Sequence, residues 1–193
     1  MAHYFAAIPI PFDLIAGTIR ELNSRYDFPS HYKVIPHRND YHITLIFFGA
    51  LTDDEKHSAE NALRTAAAET PPFTIRIDGL SFFGNPSGPR VVTLSTEQNQ
   101  QLTSLYESAG SRLDGMLAKP LRHPYVPHVT IAKKTIDKRP LPVEKEQFTP
   151  LAHHVTSITL FRIEPSQSPK YVPVSVYPLQ GMQPVSIRPG GPY

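Results

Sequence analysis

The sequence predicts an α+β fold with largely antiparallel sheets. Strand-like and helix-like segments follow one another in the order strand, helix, strand, helix, hairpin, helix, strand and further strands. The sequence GNPSGP between two strand-like segments is typical of a hairpin turn. With 193 residues, of which 40% are apolar, the chain suits one domain or two small lobes that share a core.

The first part of the chain predicts a strand, a helix, a loop and a second strand. Residues 3–8 are apolar and are followed by prolines, as in a buried strand that ends in a turn. Residues 12–27 carry apolar side chains at helical spacing, and residues 28–40 are polar and Pro-containing, as in a loop. Residues 41–48 are predicted to form a strand that Gly49 ends.

The middle of the chain predicts two helices on either side of a hairpin. Thr52 and Glu55 have capping-box spacing, so a helix is expected to begin there. The hairpin strands alternate apolar and polar residues, and the second helix has an apolar stripe. The predicted ranges are 52–69 for the capped helix, 73–78 and 90–94 for the hairpin strands, and 97–117 for the second helix.

The last part of the chain predicts three strands and a tail. Residues 126–133 form the first strand, and a Pro- and charge-rich loop over residues 135–153 follows. The other strands are expected at residues 155–164 and 170–178. We expect residues 1–179 to form one domain, with residues 180–193 as a Pro- and Gly-rich tail.

Composition narrows the classes of function. Cysteine is absent, which excludes disulfides, thiolate nucleophiles and Cys-ligated metals. The net charge is only +2 and no long basic run occurs, so an extended duplex is not the expected partner, whereas a short anionic ligand is compatible. No apolar run is long enough for a membrane span and no secretory leader is recognisable, so we expect a cytoplasmic location.

Two tetrapeptides repeat one pattern: His42-Ile43-Thr44-Leu45 and His128-Val129-Thr130-Ile131. In a strand the histidine and threonine share one face, and the two apolar residues share the other. The bare His-x-Thr triplet occurs easily by chance, and the chain contains a third one at His154-Val155-Thr156. With apolar residues required at both other positions, roughly 0.1 such tetrapeptides are expected by chance, so the pair is informative.

The residue types of the two motifs suit acid–base chemistry on a phosphate. Histidine side chains have pKa values near neutrality, so one of the two can accept a proton while the other donates one. The threonine hydroxyls can donate hydrogen bonds to anionic oxygens. If the motifs face one another across a cleft, the space between them suits a phosphate diester, and the arrangement requires no metal or other cofactor.

The chain resembles the 2H phosphoesterase family, and within it the bacterial RNA 2′,3′-cyclic phosphodiesterases, or 2′-5′ RNA ligase-like proteins. The resemblance is carried by YHITLIFFG, PRVVTLS, HPYVPHVTIAK and ITLFRIEPSQSPKYVPVSVYPL, over roughly residues 3–179. It implies a bilobal fold of two pseudo-symmetric halves, with antiparallel sheets around a central cleft and helices on the outside.

The resemblance also implies roles for the motif residues. His42 would donate a proton to the leaving oxygen, His128 would activate water, and Thr44 and Thr130 would hold the phosphate. The implied reaction opens a 2′,3′-cyclic phosphate at an RNA or nucleotide end to a 2′-phosphomonoester, as in RNA processing. A basic residue is common in the family at the position of Lys133, although strict alternation points Lys133 away from the histidines unless the strand bulges.

Further substrate contacts are predicted around the motifs. Phe48 and Tyr125 are candidates for base stacking, with simple core packing as the plainer interpretation. Arg122 could approach a terminal phosphate, and Lys170 and Tyr171 match a basic-aromatic pair in the last strand of the family. Asp40 could orient His42, but a turn at Asn39-Asp40 explains it equally well.

Three functions therefore remain open at this point. The leading hypothesis is a metal-independent hydrolase that acts, as a monomer, on RNA 3′ ends or small 2′,3′-cyclic nucleotides. The second is a 2′-5′ RNA ligase, which runs diester opening in reverse at the same histidines. The third is a binding module that holds nucleotides or RNA ends without turnover. None of them calls for a metal or a membrane.

Overall fold

A computed structural model of the chain describes residues 2–113, 121, 124–136 and 141–182. These residues form nine strands and four helices. The first half contains β1 (His3–Pro9), α1 (Phe12–Tyr26), α2 (Phe28–His31), β2 (Tyr32–Val34), β3 (His42–Ala50) and α3 (Asp53–Glu69). The second half contains β4 (Phe73–Phe83), β5 (Val91–Thr96), α4 (Gln100–Ser111), β6 (His128–Thr135), β7 (Glu146–Val155), β8 (Ser157–Ile163) and β9 (Tyr171–Pro178).

The strands form one sheet that divides into two similar halves. Its order is β7-β4-β5-β6-β3-β1-β8-β9, with β2 paired to β6 in addition. Every described pairing is antiparallel. Four strands lie on each side of the β3–β6 junction, where Ile43 pairs with Val129. The predicted α+β class, with pseudo-symmetric antiparallel halves, is confirmed.

The helices begin where the capping residues predict. Thr52 accepts a hydrogen bond from the Glu55 backbone, and the Glu55 carboxylate accepts one from the Thr52 backbone, so the predicted capping box is present. Asn99 caps α4 by accepting a hydrogen bond from the Leu102 N–H at 2.9 Å. The helix α1 ends at Asp27, which adopts a left-handed conformation.

One face of the sheet carries the main core. Helices α1, α3 and α4 bury their apolar stripes in it, together with the inward residues of the strands. The opposite face, which these helices leave uncovered, is the open face and has a separate small cluster of Phe5, Ala7 and Phe161. The cavity lined by His42, Thr44 and Thr130 lies on this open face. Among the described residues, no helix is long and apolar enough to cross a membrane.

The structure corrects the predicted loops at two places. Residues 135–153 were predicted as a loop, but β7 occupies residues 146–155 and pairs with β4 at the edge of the sheet. An edge strand tolerates Pro150 and exposed polar residues, which hid it from pattern analysis. Residues 28–40, also predicted as a loop, contain α2 and the short β2.

Two further predictions fall partly outside the described residues. Of the predicted helix over 97–117, the structure shows α4 at Gln100–Ser111, and residues 114–120 lie outside the described residues. Of the predicted tail over 180–193, residues 183–193 also lie outside them.

Candidate active site

The two motifs lie on neighbouring antiparallel strands at the centre of the sheet. Ile43 of β3 pairs with Val129 of β6, and both side chains are fully buried in the core. This register sets His42 opposite Thr130 and Thr44 opposite His128, on the open face. The Ile43–Val129 pair therefore lies on a local pseudo-twofold axis that relates one His–Thr pair to the other.

Each motif is followed by a β-bulge at the same position. Thr44 pairs with Ala7 and Ile46 with Ala6, so Leu45 is an extra residue in β3. In the same way Thr130 pairs with Thr93 and Ala132 with Val92, so Ile131 is extra in β6. A bulge shifts the alternation of the side chains that follow it by one residue. The side chains three positions beyond each threonine consequently face the cleft.

The bulges decide which residues enter the cleft. Lys133 lies in the cleft wall, as the resemblance to the family implied. Strict alternation along the strand would point its side chain away from the histidines. The predicted contact through Phe48 is corrected: Phe48 is 3% exposed in the core, whereas Phe47 is 58% exposed and lines the cleft. In both strands the extra residue of the bulge is the apolar residue that directly follows the threonine.

Both imidazoles are held in one tautomer by the backbone carbonyl two residues before the histidine. His42 Nδ1 lies 2.6 Å from the Asp40 carbonyl oxygen, and His128 Nδ1 lies 2.8 Å from the Val126 carbonyl oxygen. A carbonyl oxygen only accepts, so Nδ1 carries the proton in each ring. The Nε2 atoms are left for a ligand, as acceptors when the rings are neutral and as donors when they are charged.

The surroundings favour neutral histidines in the ligand-free site. Burial, with a smaller contribution from the positive charge of Lys133, lowers the pKa of His42 from 6.5 to about 4. Burial also lowers the pKa of His128. The ammonium of Lys133 is itself disfavoured, since burial lowers its pKa while the charge of Asp40 opposes the change. An anion in the cleft would reverse these penalties, because it stabilises each positive charge.

An aromatic wall lines the His42 side of the cleft. The cleft has a volume of about 250 Å³, and its lining includes His42, Thr44, Thr130, Lys133, Phe47 and Tyr171. The centroid of the His42 ring lies 4.8 Å from that of Phe5 and 5.1 Å from that of Tyr171. These two rings fix the imidazole from two sides. His128 lies beside the cavity and not in its lining, with its ring 4.8 Å from that of Phe83.

Asp40 connects the site to the last strand. Its side chain is buried, and its two carboxylate oxygens accept hydrogen bonds from the backbone N–H groups of Lys170 at 3.0 Å and of Tyr171 at 3.2 Å. Its own carbonyl holds His42 Nδ1. A turn at Asn39-Asp40 explains Asp40 from the sequence alone, and no local pattern reveals that its partners lie 130 and 131 residues further along the chain, at the start of β9.

Of the remaining predicted substrate contacts, some lie at the cleft, one supports a strand and one lies outside the described residues. Tyr171 lines the cleft, and the contact recorded for Lys170 at the site is through its backbone. The hydroxyl of Tyr125 donates a hydrogen bond to the Thr44 carbonyl at 2.8 Å, and its ring stacks on Tyr106, so Tyr125 supports β3 and has one ring face covered. Arg122 lies outside the described residues. In the described part of the chain, no group of three or more His, Cys, Asp or Glu side chains is placed to hold a metal ion.

The family is shown by comparison with known proteins. A family model described as the 2′-5′ RNA ligase superfamily matches residues 11–167. The chain belongs to this superfamily. It is 34% identical over 173 residues to a protein of Bacillus subtilis named RNA 2′,3′-cyclic phosphodiesterase, and this match covers 88% of the chain and 92% of the relative. The resemblance inferred from the two motifs is thereby confirmed.

Other relatives agree with this assignment. A Geobacillus stearothermophilus protein of the same name is 30% identical over 190 residues, which are 93% of this chain and 58% of the relative's length. Among solved structures, a Thermus thermophilus protein superposes with a TM-score of 0.77 at 23% identity and covers 94% of this chain and 100% of its own. E. coli LigT in complex with 3′-AMP gives 0.75 at 19% identity, with 92% of this chain and 98% of its own covered. At these identities the two structures show a shared fold.

Proposed function

We propose that the chain hydrolyses RNA or nucleotide 2′,3′-cyclic phosphates to 2′-phosphomonoesters without a metal. One observation carries the proposal: two His–Thr pairs are related by the Ile43–Val129 pair and lie on one open face of the sheet. The names of the Bacillus and Geobacillus relatives give the substrate class. A phosphorus atom between the pairs has an imidazole on each side, which suits in-line displacement.

The proton transfers follow from the two tautomers. His128 Nε2 takes a proton from a water molecule, whose oxygen attacks phosphorus on the His128 side. The bond from phosphorus to the ribose 3′ oxygen breaks on the opposite side, and His42 Nε2 gives its proton to that oxygen. The 2′ oxygen keeps the phosphate. His128 ends with one additional proton and His42 with one fewer, and solvent restores both.

The low pKa of His42 is compatible with its role as proton donor. In the free site the imidazole is neutral at pH 7, since burial outweighs the carbonyl hydrogen bond. The anionic substrate places a negative charge next to the ring, which raises the pKa and recruits a proton as it binds. The substrate thus charges its own acid. The mechanism needs one charged and one neutral imidazole, and we assign the neutral role to His128, whose pKa burial also lowers.

Three further side chains are placed to stabilise the transition state. The hydroxyls of Thr44 and Thr130 flank the phosphorus position, and both line the cleft. Lys133 supplies the positive charge that the phosphoryl oxygens require, at the position that the bulge at Ile131 directs into the cleft. These donors act in a partly buried site, where their interactions are stronger than in water.

The terminal nucleoside is assigned to the aromatic wall. His42 protonates the ribose 3′ oxygen, so the ribose lies on the His42 side of phosphorus. The exposed ring of Phe47 and the ring of Tyr171 line the cavity on that side. Stacking on such rings tolerates any base, which favours a substrate class defined by its cyclic phosphate.

The function is tested by phosphorus NMR on a 2′,3′-cyclic nucleotide in EDTA. We expect conversion to the 2′-monoester alone, and His42→Ala or His128→Ala each to lower kcat by at least about 100-fold. His154→Ala is the matched control, because it alters the third His-x-Thr triplet on the edge strand β7, and it should leave turnover unchanged. Full turnover in either motif variant would overturn the proposal. Tight binding of the 2′-nucleotide without any turnover would identify the binding module instead.

The rest of the proposal concerns the state of the protein. Both His–Thr pairs come from one chain, so we expect a monomer to be active. The cytoplasmic location predicted from the sequence also remains a prediction. Size-exclusion chromatography with light scattering, at the concentration of the activity assay, checks the first point.

A further inference from the structure

The wall of the cavity contains a negative charge that the proposed proton transfers do not use. Asp40 lines the cavity, although only 5% of the residue is exposed. Its backbone carbonyl holds His42 Nδ1, so the carboxylate is not the group that orients this imidazole. A fixed anion in the wall of a cleft weakens the binding of an anionic substrate. The presence of Asp40 at this position therefore calls for an explanation.

The backbone fixes the position of this carboxylate. Its two oxygens accept hydrogen bonds from different N–H groups, that of Lys170 at 3.0 Å and that of Tyr171 at 3.2 Å. An ionised carboxylate offers acceptors only, whereas an amide of the same shape would turn its NH2 group toward one of the two N–H groups. The site therefore suits a charged aspartate better than a neutral asparagine, and it keeps that charge at one place in the cleft wall.

The charge of Asp40 acts on other residues of the cavity. Burial lowers the pKa of Lys133, and the charge of Asp40 opposes this change. Burial raises the pKa of Tyr171, and the charge of Asp40 adds to this change. Both residues line the same cavity as Asp40. A charge that reaches two residues of the lining also acts on a ligand that contacts them.

The charges of the cavity balance for one class of phosphate only. Among the described residues that line it, the positive charge of Lys133 is cancelled by the negative charge of Asp40, and His42 adds one positive charge when it takes up a proton. A phosphate diester carries one negative charge, which the charged His42 balances. A phosphomonoester, whose second pKa is about 6, carries nearly two negative charges above neutral pH. The second of these charges has no partner in this lining.

We propose that Asp40 determines specificity by charge: its carboxylate makes the cleft accept singly charged phosphate diesters and disfavour doubly charged phosphomonoesters. Specificity of this kind comes from a repulsive group placed against the wrong ligand. The proposal rests on the proposed function for the position of the phosphate. It also gives the reaction a route to product release. Hydrolysis turns the diester into a monoester, which loses its second proton to solvent and is then repelled by Asp40.

Calorimetric binding to the full chain in EDTA at pH 8 tests the charge selection apart from turnover. The probes are 3′-deoxyadenosine 2′-phosphate, a dianion, and its methyl ester, a monoanion; neither can form a cyclic phosphate, because the 3′ hydroxyl is absent. We expect the wild-type chain to bind the methyl ester at least as tightly as the dianion. Asp40→Asn should strengthen binding of the dianion about 10-fold relative to the methyl ester, the effect of removing one charge across a small cavity. Asp40→Glu keeps the charge and should keep the wild-type ratio. Asp13→Asn is the matched control, since it removes the same charge from an exposed position, and it should also keep the ratio.

A merely structural role of Asp40 predicts a different result. In that case Asp40→Asn changes the affinity for both probes equally, and an unchanged ratio overturns the charge selection. A wild-type chain that prefers the dianion, or an Asp40→Glu ratio that shifts as in Asp40→Asn, overturns it as well. If Asp40→Asn does not fold, as checked by circular dichroism and thermal unfolding, the wild-type preference and the Asp40→Glu ratio decide. If the ratios behave as expected but the wild-type chain does not hydrolyse a cyclic nucleotide, the charge selection stands and the proposed hydrolysis fails.

Discussion

Replacing Asp40 by alanine tests how the site is held in place. The change removes the acceptor of two backbone N–H groups, those of Lys170 and Tyr171, from a carboxylate that is only 5% exposed. Hydrogen bonds to a charged group contribute about 1.5 to 3 kcal/mol each, and the N–O distance of 3.2 Å to Tyr171 puts that bond at the weak end. Because water can reach the half-buried β9 end, we expect Asp40→Ala to lower the free energy of unfolding by about 2 to 4 kcal/mol.

Urea unfolding measures this loss, with an unchanged m-value as the sign that the compactness of the unfolded state is the same. Asp40→Asn keeps one side-chain oxygen and should lose about half as much. Asp13→Ala is the matched control, since Asp13 is 88% exposed and pairs with Arg38 at 3.4 Å; it should change stability by less than about 0.5 kcal/mol. An Asp40→Ala variant as stable as Asp13→Ala would show that the connection between Asp40 and β9 contributes nothing to stability.

Three further predictions concern the cleft itself. The pKa of His42 falls from 6.5 in the unfolded chain to about 4 in the folded chain, so the unfolded chain binds more protons between these pH values. The corresponding part of the free energy of unfolding, about 3 kcal/mol at most, is fully present above pH 6.5 and is lost as pH falls toward 4. His42→Ala should therefore flatten the dependence of stability on pH in that window. Lys133→Met should lower kcat/KM by about 10-fold to 100-fold with little loss of stability, and Lys133→Arg should restore part of it; an unchanged kcat/KM in Lys133→Met would remove Lys133 from the site. Tyr125→Phe deletes the hydrogen bond to the Thr44 carbonyl and should cost about 1 kcal/mol in thermal or urea unfolding, and a stability equal to wild type would show that this hydrogen bond does not secure β3.

The two motifs could be predicted because strand alternation is a local property. A histidine and a threonine two residues apart share a face in any strand, and the apolar residues between and after them indicate which face is buried. Family, fold class and the capping box at Thr52 follow from similarly local patterns. The four side chains proposed for the proton transfers and phosphate contacts therefore lie within two tetrapeptides, residues 42–45 and 128–131.

The features that the sequence analysis missed depend on partners far along the chain. The bulges at Leu45 and Ile131 form where β3 and β6 pair with neighbouring strands, and the bulge at Leu45 puts Phe47 in the cleft where Phe48 was predicted. The cleft position of Lys133, which the bulge at Ile131 produces, was implied by the family resemblance and not by strand alternation. Asp40 gains its role from the backbone N–H groups of Lys170 and Tyr171, at the start of β9. No window of the sequence contains both members of these contacts.

Edge position explains the missed strand. A central strand must bury both faces or alternate cleanly, whereas β7 is the end strand of the sheet and, within the described residues, pairs with β4 alone. Its pairing register shifts between Ile77 and Gly79, near Pro150 on the opposite strand, where a proline lacks the N–H that the ladder would use. A Pro- and charge-rich segment therefore looks like a loop until its partner is known.

A titration with 2′-AMP tests whether both His–Thr pairs act on a single phosphorus atom. In proton NMR spectra of the wild-type chain, the imidazole resonances of His42 and His128, assigned from the two alanine variants, are followed as 2′-AMP is added. We expect both resonances to shift along one binding curve with the same Kd, with the His42 resonance moving toward that of a charged imidazole, while the His154 resonance does not shift. Separate binding curves, or a shift confined to one of the two histidines, would contradict it.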